Sequence, residues 1–146
     1  MDVGSLKLLE QLVALGSGSL LQYVSEAFPY SADPRQAAFH RVLALAHEER
    51  DAVARLSRSL QKMHVRLPKT GSYPSHFTTM NFVTLDYLVP KLVAENEKEI
   101  AQVAAALTLL EDAQARDFAQ TYHDMKCRHL EVLKNLASGQ TPAGAA

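Results

Sequence analysis

One carboxylate stands where an apolar residue is expected. In AAFHRVLALAHEERDAVARLSRSLQKMHV, Ala37–Val65, the apolar residues fall at 39, 42, 46, 53, 56, 60 and 63, steps that mark one face of a long helix. The open slot in that series is Glu49. A carboxylate in an apolar seam is costly to bury unless it is paired, protonated or bound to a metal. Groups that could answer it occur midway along two later stretches: Glu95 and Glu99 in AENEKE, and Lys126 and His129 in KCRH. Three outcomes follow. Glu49, Glu95 (or next Glu99) and His129 could hold a single Fe, Mn or Zn ion with an open position. Lys126 could instead close a salt bridge with Glu49 or Glu95, with Asn96 and Tyr122 near enough to add hydrogen bonds. Or Glu49 could stay protonated, its pKa raised by burial.

Four helices must carry these residues. The first is expected from Ser5 to Phe28, because Leu6, Leu9, Val13, Leu20, Tyr23 and Ala27 keep one phase across LGSGS, with Gly16 as a small-residue notch. Asp33, Pro34 and Gln36 then suit an N-cap, a first helical position and a capping box. The second helix runs on to near Arg66, ahead of Pro68 and Gly71. LPKTGSYPSHFTTMN, about 15 residues, is too long for a tight turn and suits a crossover along a bundle. The third helix starts at a cap on Asn81 or Thr84, with Pro90 in its first turn or at a kink, and is lined by Leu85, Leu88, Leu92, Val103, Leu107 and Leu110. Asp112 is the expected N-cap of a returning fourth helix, about 113–137, that buries Phe118, Tyr122, Met125, His129, Val132 and Leu136. Residues 138–146 form a tail with nothing to bury. The fold class is therefore all-α: one four-helix bundle over 1–137, two antiparallel pairs joined by a long crossover, which is ferritin-like topology.

The helix midpoints would share one level of such a bundle, giving a core polar layer of Gly16, Glu49, Ala52, Asn96, Tyr122, Lys126 and His129. With EERDAVARL, KCRHLEVLKNL and the helix-and-crossover pattern, residues of about 5–137 resemble the ferritin-like superfamily, rubrerythrin-like and bacterioferritin-like domains in particular. That resemblance implies a dinuclear metal centre, with a Glu from each of two helices and Glu-x-x-His from each of the other two. The ligand set here is incomplete. Gly16 stands seven residues before Tyr23 where a Glu is implied, the second helix reads Glu49-Arg50-Asp51-Ala52, and the fourth reads Lys126-Cys127-Arg128-His129. The expected protein is thus a bundle whose di-iron site has eroded, without a cofactor, acting as a non-catalytic binding or structural protein. The competing expectation is a rubrerythrin-like oxidoreductase retaining one metal.

Other patterns carry less. HEERD at 47–51 lacks the second histidine of a zinc-protease helix. His123 and Cys127, four apart, lack further partners for a soft metal. Cys127 between Lys126 and Arg128 has the setting of a lowered thiol pKa, but most lone cysteines are inert. Arg55, Arg58, Lys62, Arg66 and Lys69 form a basic stripe that reads as a solvated face, since no stacking aromatics accompany it. Met63, Met80 and Met125 read as core filler. The 146 residues are 47% hydrophobic and 21% charged, with a net charge of −1, which gives no reason to expect nucleic acid as a partner. One cysteine excludes an internal disulfide, the N-terminus lacks a basic n-region, and no apolar run reaches the roughly 18 residues of a membrane span. A cytoplasmic homo-oligomer, such as a dimer, with a further protein partner left open, is the expectation.

Overall fold

The computed structural model describes residues 1–27, 36–67, 73–74, 77 and 84–138. Among them the chain is all-helical: α1 (Val3–Ser17), α2 (Leu20–Ala27), α3 (Gln36–Lys62), α4 (Leu85–Leu109) and α5 (Ala113–Ala137). The expected Asp33 cap, most of the long connection and the 139–146 tail lie outside the described residues. No described helix is long and apolar enough to cross a membrane.

The first expected helix is two helices. α1 closes at Gly18, whose N–H donates to the Ala14 carbonyl at 3.1 Å. Ser19 then opens α2: its Oγ accepts from the Gln22 N–H at 3.3 Å and its carbonyl from the Tyr23 N–H at 3.1 Å. The apolar phase survives this break, which is why periodicity alone runs straight through it. α3 also ends earlier than Arg66. His64 takes a left-handed φ of 61°, and the Val65 N–H reaches back to the Leu60 carbonyl at 3.1 Å, a Schellman closure made without glycine.

The last two helices follow their sequence signals. Thr84 caps α4 by accepting from the Tyr87 N–H at 3.3 Å, and Pro90 sits inside that helix on an exposed position. Asp112 caps α5 by accepting from the Ala115 N–H at 2.9 Å. Arg116 fastens the corner, donating to the Leu107 and Leu110 carbonyls at 2.7 and 2.9 Å. Those carbonyls end α4 and lack helical partners, so a cation there also meets the negative pole of the helix.

α4 packs along α5, α1 and α2 pack along α3, and α3 meets α5. The core divides into two apolar clusters. One joins α2, the first half of α3, the first half of α4 and the end of α5, with Leu21, Val42, Leu88 and Leu136 among its members. The other joins α1, the second halves of α3 and α4 and the start of α5, with Leu9, Leu60, Val103 and Ala119. On α3, α4 and α5 the buried polar side chains, Glu49, Asn96 and Glu99, and Lys126 and His129, lie between these clusters in sequence.

Candidate functional site

Glu49 is the hub of the polar layer, and it is 0% exposed. The 3.6-residue period that buries Val42, Ala46 and Leu56 buries position 49 with them, so the carboxylate must find every partner inside the protein. Four side chains supply them. Ser19 Oγ donates to Oε1 at 2.6 Å and Gln22 Nε2 donates to the same oxygen at 3.0 Å. Tyr122 Oη donates to Oε2 at 2.8 Å, and Lys126 Nζ donates to Oε2 at 2.6 Å. Tyr122 and Lys126 are four apart on α5, hence on one face. Ser19 and Gln22 are presented by the first turn of α2.

The second carboxylate of the layer is Glu99, at 3.1 Å from Lys126 Nζ through Oε2. This is an ion-pair contact without hydrogen-bond geometry, and Oε2 has no hydrogen-bond partner among the described residues. Lys126 is itself 1% exposed. One ammonium therefore serves two carboxylates, and it favours Glu49.

The electrostatics follow from that imbalance. Burial acts to raise the Glu49 pKa, but the Lys126 charge and the hydrogen bonds from Lys126, Ser19 and Gln22 outweigh it and hold the carboxyl below its usual range. Burial acts to lower Lys126, and the two glutamates outweigh it, so the ammonium is held above its ordinary pKa. Glu99 goes the other way. Burial pushes it up to about 7, with Lys126 opposing and Glu49 and Glu95 adding to the rise. Tyr122 is pushed well above its ordinary value by burial and then by Glu49 and Glu99, so its hydroxyl stays a donor.

Position 99, not 95, is the seam residue of α4. Asn96, Glu99 and Val103 continue the buried series from Leu92, and this phase leaves Glu95 half-buried. The expected preference for Glu95 is corrected on that ground. His129 is 1% exposed, yet the carboxylate beside its ring is that of Glu48, whose Oε1 lies 3.6 Å from Nε2. Burial and then the Lys126 charge press its pKa down to about 4, so it is neutral at pH 7. Neither ring nitrogen has a hydrogen-bond partner among the described residues, and the same holds for both amide atoms of the buried Asn96. Tyr122 thus reinforces the ion pair as the sequence suggested, and Asn96 does not.

Glu49, Glu95, Glu99 and His129 are not gathered into a cation-holding group: among the described residues no three of His, Cys, Asp and Glu are so clustered. The position a cation would take between Glu49 and Glu99 is filled by Lys126 Nζ. The described residues of this arrangement do not fit a metal ion.

Gly16 and Ala52 complete the layer as space rather than as chemistry. A Cβ on Gly16 would lie 2.5 Å from Val53 Cγ2 and 3.1 Å from Tyr122 Oη, so the notch admits α1 to the core at this level. Ala52 is half-buried against the second apolar cluster. Outside the layer, His123 Nδ1 is 3.8 Å from Cys127 Sγ on a half-buried face, and Arg55, Arg58, Lys62 and Arg66 are all exposed.

Ser19 and Gln22 are the members that sequence reasoning missed. Their signal was legible: Ser19-Leu20-Leu21-Gln22 has capping-box spacing. Gln22 does not reach back to its own helix start, however. It donates to Glu49 and to the Ala46 carbonyl at 2.8 Å, and its Oε1 accepts from Arg50 Nη2 at 3.3 Å.

Beside Glu99 a cavity of about 600 Å³ opens between α1 and α4, at the level of the α1–α2 break. A carboxyl titrating near 7 in a cavity wall matches the pKa range of a general acid or base. Among the described lining residues the one hydroxyl, that of Ser19, is committed to Glu49. Comparison with known proteins finds no matching family model, no similar curated protein and no similar solved structure.

Proposed function

We propose that this chain is a non-catalytic binding protein on a ferritin-like bundle, with an internal ammonium where such bundles carry metal. The observation that carries this reading is Lys126 Nζ at 2.6 Å from Glu49 and 3.1 Å from Glu99, fully enclosed. The ferritin-like course of the helices is supported by the two core clusters. α1 and α2 contribute to them in the opposite order from α3, and α5 in the opposite order from α4, whereas α3 and α4 contribute in the same order. Two antiparallel pairs joined by a crossover would give that pattern. The cavity beside the layer is the binding element, and self-association of the bundle is part of the same reading.

The test is metal content after purification and after reconstitution with iron, manganese and zinc. The expected result is no stoichiometric metal and an unfolding midpoint that does not move with chelator. One equivalent of metal per chain, lost on Glu49→Ala or His129→Ala, would sink the proposal in favour of a single-metal oxidoreductase. Light scattering over a range of concentrations reads the oligomer, and a constant 16.1 kDa would remove self-association.

A further inference from the structure

The cavity beside Glu99 has an apolar wall and a buried carboxylate that shares its ammonium, Lys126, with Glu49. Leu12 and Leu15 of α1 face Val103 and Ala106 of α4 across it. Exposed lining residues include Gln11, Lys98 and Gln102, and Phe77 contributes from outside the helices. A volume of about 600 Å³ lies within the range of small-molecule sites.

Its enclosed polar lining is one-sided. Ser19 is spent, since its hydroxyl donates to Glu49 and accepts from the Gln22 N–H. Glu99 is not. It is 5% exposed, the Lys126 ammonium is drawn 0.5 Å closer to Glu49 (2.6 against 3.1 Å), and Glu99 Oε2 makes no hydrogen bond. The enclosed charges are two carboxylates against one ammonium, while in the outer lining half-buried Glu95 and exposed Lys98 offset one another. The charged groups around Glu99 are Lys126 from α5, Glu49 from α3 and Glu95 on its own helix. All lining residues from α1, α2 and the turn between them are neutral. A buried carboxylate that shares one ammonium with a second carboxylate is short of positive charge, not of negative.

We propose that this cavity binds a small aliphatic amine, its protonated head at Glu99 and its hydrocarbon chain between Leu12, Leu15, Val103 and Ala106. The inference rests on the reading of a metal-free core, because the ammonium fixed at Glu49 is what leaves Glu99 unmatched. An ammonium arriving at Glu99 would balance the layer. A carboxylate arriving there would add a third buried negative charge. An alcohol would gain the apolar contacts alone.

The experiment is calorimetric titration of the full chain with octylamine, octanol and octanoate at pH 8, where Glu99 is ionised. Octylamine is expected to bind at least about tenfold more tightly than octanol, as a charge-assisted hydrogen bond would give. Octanoate should bind most weakly. Glu99→Gln should bring octylamine to within about twofold of octanol while leaving octanol unchanged. Ala106→Phe, which fills the apolar wall, should weaken all three. The proposal is overturned if octanoate matches octylamine, if Glu99→Gln leaves the preference intact, or if no probe binds. The wild-type comparison decides the matter even if a variant fails to fold. A chain that carries no metal yet shows no amine preference defeats this proposal alone, whereas a bound metal defeats the reading beneath it.

Discussion

Lys126 shows how much one side chain can be asked to hold. It brings a positive charge into a position 1% exposed, beside a glutamate 0% exposed, so the desolvation of both must be met by contact and hydrogen bonding. Glu49 is met fully, with donors from Ser19, Gln22, Tyr122 and Lys126. Removing the ammonium while keeping the carboxylate is therefore the most damaging single change in the layer. Lys126→Met is expected to cost ~3–5 kcal/mol in urea unfolding. Adding Glu49→Gln should restore a good part of that loss, because the amide keeps an acceptor oxygen for its neutral donors and no longer needs a counter-charge. A loss below about 1 kcal/mol for Lys126→Met would show that the pair is not what holds the layer together. The pairing of Glu49 with Lys126 was legible in the sequence because Glu49 occupies an apolar slot and both residues stand at helix midpoints. That Glu99 would be the third member was recoverable too: seven residues after Leu92 and four before Val103 is position 99. Pro90 obscured it, since it left open where the helix begins and hence its phase.

At the level of elements, the break between α1 and α2 turns a helix end into part of the site. Periodicity could not reveal it, because Val13, Leu20 and the residues after them keep one phase whether or not Gly18 and Ser19 are helical. α5 was legible at both ends for the opposite reason: Asp112 announces its start, and the apolar stripe simply stops after Leu136. Ser19 does two jobs, capping α2 and donating to a buried carboxylate. Ser19→Ala should therefore cost more than an ordinary cap, ~2–4 kcal/mol against ~1 for the cap alone. Ser19→Thr, which keeps the hydroxyl, should recover most of it, and thermal unfolding of the two variants separates the outcomes. Gly16 is the other device on this side. Alanine would gain ~1 kcal/mol of helix propensity, yet its Cβ would stand 2.5 Å from Val53 Cγ2 and 3.1 Å from the hydroxyl that Glu49 accepts from. Overpacking of that kind costs ~1–3 kcal/mol, so Gly16→Ala is expected to destabilise on balance. Val53→Ala in the same chain should relieve most of the clash. A more stable Gly16→Ala protein would mean that α1 approaches the core less closely than 2.5 Å implies.

For the whole molecule, the layer sets up two opposing dependences on pH. Glu99 titrates at about 7 in the folded chain against an ordinary 4.5. Between those values the folded state binds the extra proton, so this group makes stability fall as pH rises through the window. His129 titrates at about 4 when folded against an ordinary 6.5. Over that range the unfolded state binds the extra proton, so stability rises with pH. Each contribution is on the order of 3 kcal/mol across its window, and from about 4.5 to 6.5 they run in opposite directions. The wild-type protein should accordingly show a nearly flat urea midpoint there, although two of its most buried groups are far from their ordinary pKa values. Single substitutions should expose the hidden slopes. In Glu99→Gln the midpoint should climb as pH rises from 4 towards 6.5, because the opposing titration of Glu99 is gone and that of His129 remains. In His129→Leu it should fall as pH rises from 4.5 towards 7, because only Glu99 is left. Glu49, held below 4.5, weakens all three proteins at lower pH and so does not separate them. Urea titrations at pH 4.5 and 6.5 at one ionic strength read the two slopes directly. Parallel profiles in wild type and both variants would show that the burial of these two groups does not govern their protons, and the imbalance at Glu99 would lose its physical basis.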